Sequence, residues 1–133
     1  MILFGAALEK KASDEQLRDA LAFVFSVVHD AVEIIHSITE IKDDLITCCV
    51  YEQSEGAFSQ YFEVYHVDPP PNLGISKIAI SLAMVLATPL LIANDETANP
   101  YSFILVSPTG SMPVVNVDPD ELDENERYII VGG

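Results

Sequence analysis

The chain has 133 residues and a mass of 14.5 kDa, which gives room for one domain over 1–133 and not for two. Its 21 acidic residues stand against 6 basic ones, a formal charge of -15, which argues against direct binding to DNA, RNA or an anionic bilayer because like charges repel. Half of the residues are apolar, so the chain can build a core and is not an acidic disordered tail.

Residues 1–8 are apolar, but no base precedes them. Lys10 and Lys11 come after, the reverse of the order in a secretory signal. Ser13 and Gln16 then form an S-x-x-Q capping box, with Asp14 and Glu15 in the first turn. Leu17, Leu21, Val24, Phe25, Val28, Val32, Ile35 and Ile38 recur at a helical period, and one long helix is expected over 14–39. On it His29, Glu33 and His36 would share a stripe containing one E-x-x-H pair. Carboxylate-bridged metal sites need a second such pair, and the sequence has none, so no metal is assigned.

Lys42, Asp43 and Asp44 break the pattern. Residues 45–52 (LITCCVYE) and 60–67 (QYFEVYHV) read as strands joined by a turn at 53–56. Tyr61, Glu63, Tyr65 and Val67 would share one face, and Phe62, Val64 and His66 the other. Cys48 and Cys49 are adjacent, so on a strand they point to opposite sides and cannot bridge. They read as small buried hydrophobes and fit a reducing, cytoplasmic setting.

The prolines at 69–71 mark a stiff break. The stretch 78–94 holds no charge. Pro89 interrupts it and Ser81, Thr88 and Asn94 dilute it, so a buried helix over 75–87 and a strand over 90–93 are expected in place of a membrane span. Residues 94–100 read as a polar loop. Strands at 101–107 and 112–117 flank the turn Pro108-Thr109-Gly110-Ser111. Asp118 followed by Pro119 announces a short capped helix, and 127–131 a last strand. The fold class is therefore α+β, with two helices packed on a largely antiparallel sheet of about five or six strands.

The charge is lopsided. Residues 1–42 carry 7 acids and 4 bases, a net of -3, while 43–133 carry 14 acids and 2 bases, a net of -12. The acids of the second part lie mostly in loops, above all Asp95-Glu96 and the run 118–126. That run holds six acids in nine residues: Asp118, Asp120, Glu121, Asp123, Glu124 and Glu126. Solubility asks for a net charge of only about 2–8 in magnitude, so the surplus points to a basic protein partner, against the alternative of a merely solvated surface. Tyr51, Tyr61, Phe62, Tyr65 and Tyr101 read as half-buried sheet residues, with some available as interface anchors.

No catalytic residue is assigned. The sequence has no G-x-S-x-G elbow, P-loop or G-x-G-x-x-G, and no cofactor is indicated. The acids at 118–126 miss calcium-loop spacing, with Leu122 and Asp123 at the wrong positions.

Small size, acidity and this α+β pattern resemble bacterial toxin-immunity proteins, including those of contact-dependent growth inhibition systems. The resemblance implies a non-enzymatic protein that neutralises a basic toxin domain, such as a nuclease, by direct binding. It transfers no residue. Two alternatives stay open at this point: a phage-type inhibitor that mimics nucleic acid, and a small oligomeric enzyme or ligand-binding domain with incidental acidity.

Overall fold

The structure is a computed structural model and describes residues 2–40, 46–52, 57–65 and 74–132. Along them run β1 (Ile2–Leu8), α1 (Asp14–Val24), β2 (Val32–Ile35), β3 (Ile46–Glu52), β4 (Gln60–Tyr65) and α2 (Ile75–Leu86). They are followed by β5 (Leu90–Ala93), β6 (Ser102–Val106), β7 (Val114–Val117), α3 (Pro119–Asn125) and β8 (Ile130–Gly132). One sheet holds all eight strands in the order β2-β3-β4-β1-β5-β6-β7-β8. β2 is parallel to β3, and every other pair is antiparallel.

The α+β class and the largely antiparallel sheet are as the sequence predicts. The expected counts are too low, because the described residues hold three α-helices and eight strands. Two strands account for the difference in the sheet. β1 lies at its centre, between β4 and β5, although Gly5, Ala6 and Ala7 have weak strand propensity. β2 comes from the second half of the expected long helix. The third helix is the short one that Asp118 caps. The turn at 53–56, the break at 42–44 and the prolines at 69–71 lie outside the described residues.

The long helix is cut at Val24 by backbone chemistry. The N–H of Ser26 donates to the Phe23 carbonyl at 3.2 Å, and that of Val27 to the Ala22 carbonyl at 3.0 Å. These are the two bonds of a Schellman ending, with Ser26 in the left-handed position at φ 55°. Glycine usually occupies that position, so the sequence carries no stop signal there. A 3₁₀ turn at His29–Ala31 follows, and Val32–Ile35 pairs with Ile46–Cys49 as a strand. The β-branched residues Val32, Ile34 and Ile35 suit that pleated surface. The start of α1 matches expectation: the Gln16 N–H donates to Ser13 Oγ at 3.1 Å, and the Ser13 N–H to Gln16 Oε1 at 2.8 Å.

α1 and α2 cover one face of the sheet. Leu17, Ala20 and Leu21 on α1 and Ile78, Ala79, Leu82 and Ala83 on α2 recur at helical spacing and are fully buried. They pack with Leu8, Phe62, Val64, Leu90 and Val106 of the strands. On the opposite face Ala7, Leu91 and Val115 form a second apolar cluster with Phe58, and Tyr61, Phe103, Leu105 and Tyr128 pack against it. β4 shows the split cleanly, with Gln60, Phe62 and Val64 buried and Tyr61, Glu63 and Tyr65 partly exposed on the other side. The hairpin faces are as expected over these residues. Cys48 lies on the helix side and Cys49 on the other, both buried and unbridged.

One buried polar side chain ties the layers together. Gln60 Oε1 accepts from the Ala12 N–H at 2.8 Å, and Gln60 Nε2 donates to the Ala12 carbonyl at 2.9 Å. The amide thus pairs both backbone groups of Ala12 in the β1–α1 connection. Gln60→Leu would leave those groups unpaired, and it is expected to cost about 1–3 kcal/mol of stability. A urea midpoint equal to that of the parent would refute this role.

Candidate partner-binding surface

The loop between β5 and β6 is stapled by its own polar residues. Asn94 Nδ2 donates to Ser102 Oγ at 3.1 Å, Asn94 Oδ1 accepts from the Glu96 N–H at 3.2 Å, and Asn99 Oδ1 accepts from the Tyr101 N–H at 3.0 Å. Asp95 and Glu96 stand exposed on this loop. β7 ends beside it, since the Val117 N–H donates to the Tyr101 carbonyl at 3.0 Å. α3 therefore starts at the same end of the sheet. Asp118 caps it, with Oδ1 accepting from the N–H groups of Asp120 at 2.9 Å and Glu121 at 3.3 Å. The Tyr101 hydroxyl donates to Asp123 Oδ2 at 2.6 Å and joins loop to helix.

Asp95, Glu96, Asp118, Asp120, Glu121, Asp123, Glu124 and Glu126 are thus gathered at one end of the β5–β8 half of the sheet. With Arg127 as the base among them, eight acids and one base give -7 of the total -15. Asp120, Asp123, Glu124 and Glu126 are exposed, whereas Asp118 and Glu121 are half-buried. Arg127 reaches Glu121 at 3.6 Å. The capped-helix reading of 118–126 matches the structure.

Beside this end lies a feature that strand alternation in the sequence showed only in part. On the face away from the helices, a hollow of about 280 Å³ is floored by Gly5, Ala7, Leu91 and Ala93 of β1 and β5. Tyr61 walls one side, and Phe103 with Tyr128 the other. Phe103 and Tyr128 meet edge to face at 5.5 Å, and Tyr51 lies 6.2 Å from Tyr61. Glu63 pairs in register with Gly5 at the edge of the floor. Its carboxylate accepts from the Tyr61 hydroxyl at 3.3 Å and the Tyr65 hydroxyl at 3.1 Å. Gly5 leaves room for the Tyr61 hydroxyl, which a Cβ at that position would push aside.

The electrostatics follow the geometry. Burial first, and then the charge of Glu63, push the Tyr61 phenol above the ordinary tyrosine value. Burial and the bond to Glu63 raise Tyr65. Tyr128 is raised by burial, then by Glu126 and Glu63, so it senses both the acidic end and the hollow. The bond to Asp123 raises Tyr101. Each hydroxyl is held in its donor form.

The tyrosines considered as anchors therefore divide. Tyr51, Tyr61 and Tyr65 lie on the face with Glu63, Tyr101 lies at the acidic end, and Phe62 is buried under the helices. Phe103, Tyr128 and Glu63 were not identified as site residues by sequence reasoning. Alternation placed Glu63 beside Tyr61 and Tyr65, but nothing local brings Phe103 and Tyr128 to them.

The expected stripe of His29, Glu33 and His36 does not form, because Glu33 sits on β2 and the long helix is absent. His29 Nε2 instead meets Glu15 Oε1 and Asp19 Oδ1, each at 3.1 Å, and His36 Nε2 meets Asp14 Oδ2 at 2.8 Å. The ligand atoms of Glu15, Asp19 and His29 lie within 4.8 Å of one another. Imidazole–carboxylate hydrogen bonds account for this exposed group. Burial, then the neighbouring Cys49, raise the Cys48 thiol, which opposes formation of a nucleophilic thiolate. No helix among the described residues is long and apolar enough to cross a membrane; the uncharged stretch 78–94 is divided between α2 and β5.

No protein-family model, curated protein or solved structure matches the chain. Its chemistry is therefore read from its own residues.

Two outcomes are expected. Removing the cap with Asp118→Ala should cost about 0.5–2 kcal/mol and speed amide exchange over 119–125; unchanged exchange there would refute the cap's role. The raised phenols give stability that is complete below about pH 10, where free tyrosine ionises, and is lost as pH rises further. In a spectrophotometric titration, Glu63→Gln should bring the ionisation of Tyr61 and Tyr65 down toward the free value. An identical titration curve for the variant would refute the coupling.

Proposed function

We propose that this chain is a non-enzymatic acidic binding protein that inhibits a basic protein partner, as a toxin-immunity protein does, by covering a cationic surface. One observation carries the reading: two acidic segments, 95–96 and 118–126, with eight acids between them, meet at one end of the sheet beside a single arginine. Their negative potential would occupy the place of nucleic-acid phosphates on a nuclease-like cleft and steer encounter with it. Charge of this kind acts mainly on the association rate. The partner class is the toxin domain implied by the sequence resemblance, and the surface residues are those named above. The cytoplasm is the setting this reading requires, since an immunity protein must meet its toxin inside the cell.

The direct test is co-expression with the product of the adjacent gene. A stoichiometric complex that abolishes that product's toxicity is expected, and its absence weighs against the reading. With such a partner in hand, Asp95→Lys, Glu96→Lys, Asp120→Lys and Glu124→Lys combined should leave the fold intact, because all four are exposed. Association at low salt should slow by about 10-fold or more, with the difference shrinking as salt rises. Equal association rates for parent and variant at low salt would count against the acidic end as the docking surface.

A further inference from the structure

We propose that the hollow beside Glu63 receives the guanidinium group of an arginine side chain presented by the partner. The bearer of the arginine rests on the reading above, whereas the ligand class rests on the hollow itself. At about 280 Å³ the hollow is at the small end for ligand sites, which suits the tip of one side chain. Its lining carries phenol hydroxyls, and the Glu63 carboxylate stands at its edge, one hydrogen bond beyond the Tyr61 hydroxyl. A carboxylate offers about four lone-pair positions, and the Tyr61 and Tyr65 hydroxyls use two. Whatever fills the rest must donate. The ring faces of Tyr61, Phe103 and Tyr128 carry negative π density, so the favoured donor is a cation. An anion would be repelled by Glu63 and by Glu126, which act on the same Tyr128 phenol.

Shape selects among cations. Guanidinium is planar, presents two parallel N–H groups to two carboxylate oxygens, and stacks on an aromatic ring. Ammonium is a compact point charge and uses neither the flat walls nor both oxygens as well. Among the described residues no Lys, Arg or His forms an ion pair with Glu63. Position links the hollow to the acidic end. Ala93 and Phe103 flank the loop that carries Asp95 and Glu96, and Tyr128 lies two residues beyond Glu126. A cationic partner drawn to those acids arrives beside the hollow, where one arginine can leave water and anchor.

The test titrates the full chain with N-acetylarginine amide, with N-acetyllysine amide, and with N-acetylcitrulline amide as the uncharged planar analogue. NMR signals of the Tyr61, Tyr65, Phe103 and Tyr128 rings are followed at about 1 M salt, where the Debye length is about 3 Å and diffuse attraction is screened. Saturable ring shifts are expected with the arginine probe, weaker binding with lysine and none with citrulline. Glu63→Gln, nearly isosteric, should weaken arginine binding by about 10-fold or more. Gly5→Ala, which displaces the Tyr61 hydroxyl, should weaken it as well and serves if the first variant misfolds. Silent rings, equal shifts with citrulline, or binding that survives both variants would overturn the site. The charge-reversed chain separates the two readings. If it meets the basic partner as fast as the parent while the rings still answer to arginine, the acidic docking surface fails and the arginine pocket stands. If reversal slows association and the rings stay silent, the acidic surface stands and the pocket is overturned.

Discussion

Carboxylates in this chain must be held in place with few cations to hold them. With 21 acids and 6 bases, ion pairing cannot organise the surface, and other donors take over. Backbone N–H groups at the start of α3 hold Asp118, and phenols hold Asp123 and Glu63. Imidazoles hold Asp14, Glu15 and Asp19. A neutral hydroxyl or amide fixes the geometry of a carboxylate without cancelling its charge. The acids are therefore oriented and still negative. That combination is what an inhibitor of a cationic surface needs, because preorganised charge loses less entropy when the partner arrives.

The same economy joins the two surfaces. Tyr101 belongs to the acidic end, and Tyr61, Tyr65 and Tyr128 belong to the hollow, and each phenol is pushed toward its neutral donor form. Burial dominates at the hollow, while the hydrogen bond to Asp123 dominates at the solvent-facing Tyr101. A sheet face that would otherwise be apolar thereby acquires one charge in an aromatic setting. Interfaces concentrate their binding energy at buried aromatic and charged anchors, while the exposed rim mainly sets encounter rate. On the proposed reading, the acidic end and the hollow would divide these tasks in space.

Much of the chain was legible residue by residue. The Ser13–Gln16 box, the Asp118–Pro119 start, the turn at 108–111 and the alternation of β4 depend on contacts within a few positions, and each forms as expected. The failures have a common cause. β2 was hidden because helical and strand preferences compete over Val32–Ile35, and the end of α1 uses Ser26 where a glycine would have signalled it. β1 was hidden because Gly5, Ala6 and Ala7 carry almost no pattern. Their small size matters only once Tyr61 crosses Gly5 and the helices settle on the other side.

Local chemistry settled the class of this protein: its acidity, its α+β elements, the caps, and the loops on which the acids sit. Those properties depend on composition and on neighbours three or four residues apart. Assembly of the sheet decided which acids meet, which tyrosines surround Glu63, and that Phe103 and Tyr128 stand beside both. Strand order is set by burial of apolar faces across dozens of residues, and no short stretch of sequence encodes a pairing partner that far away.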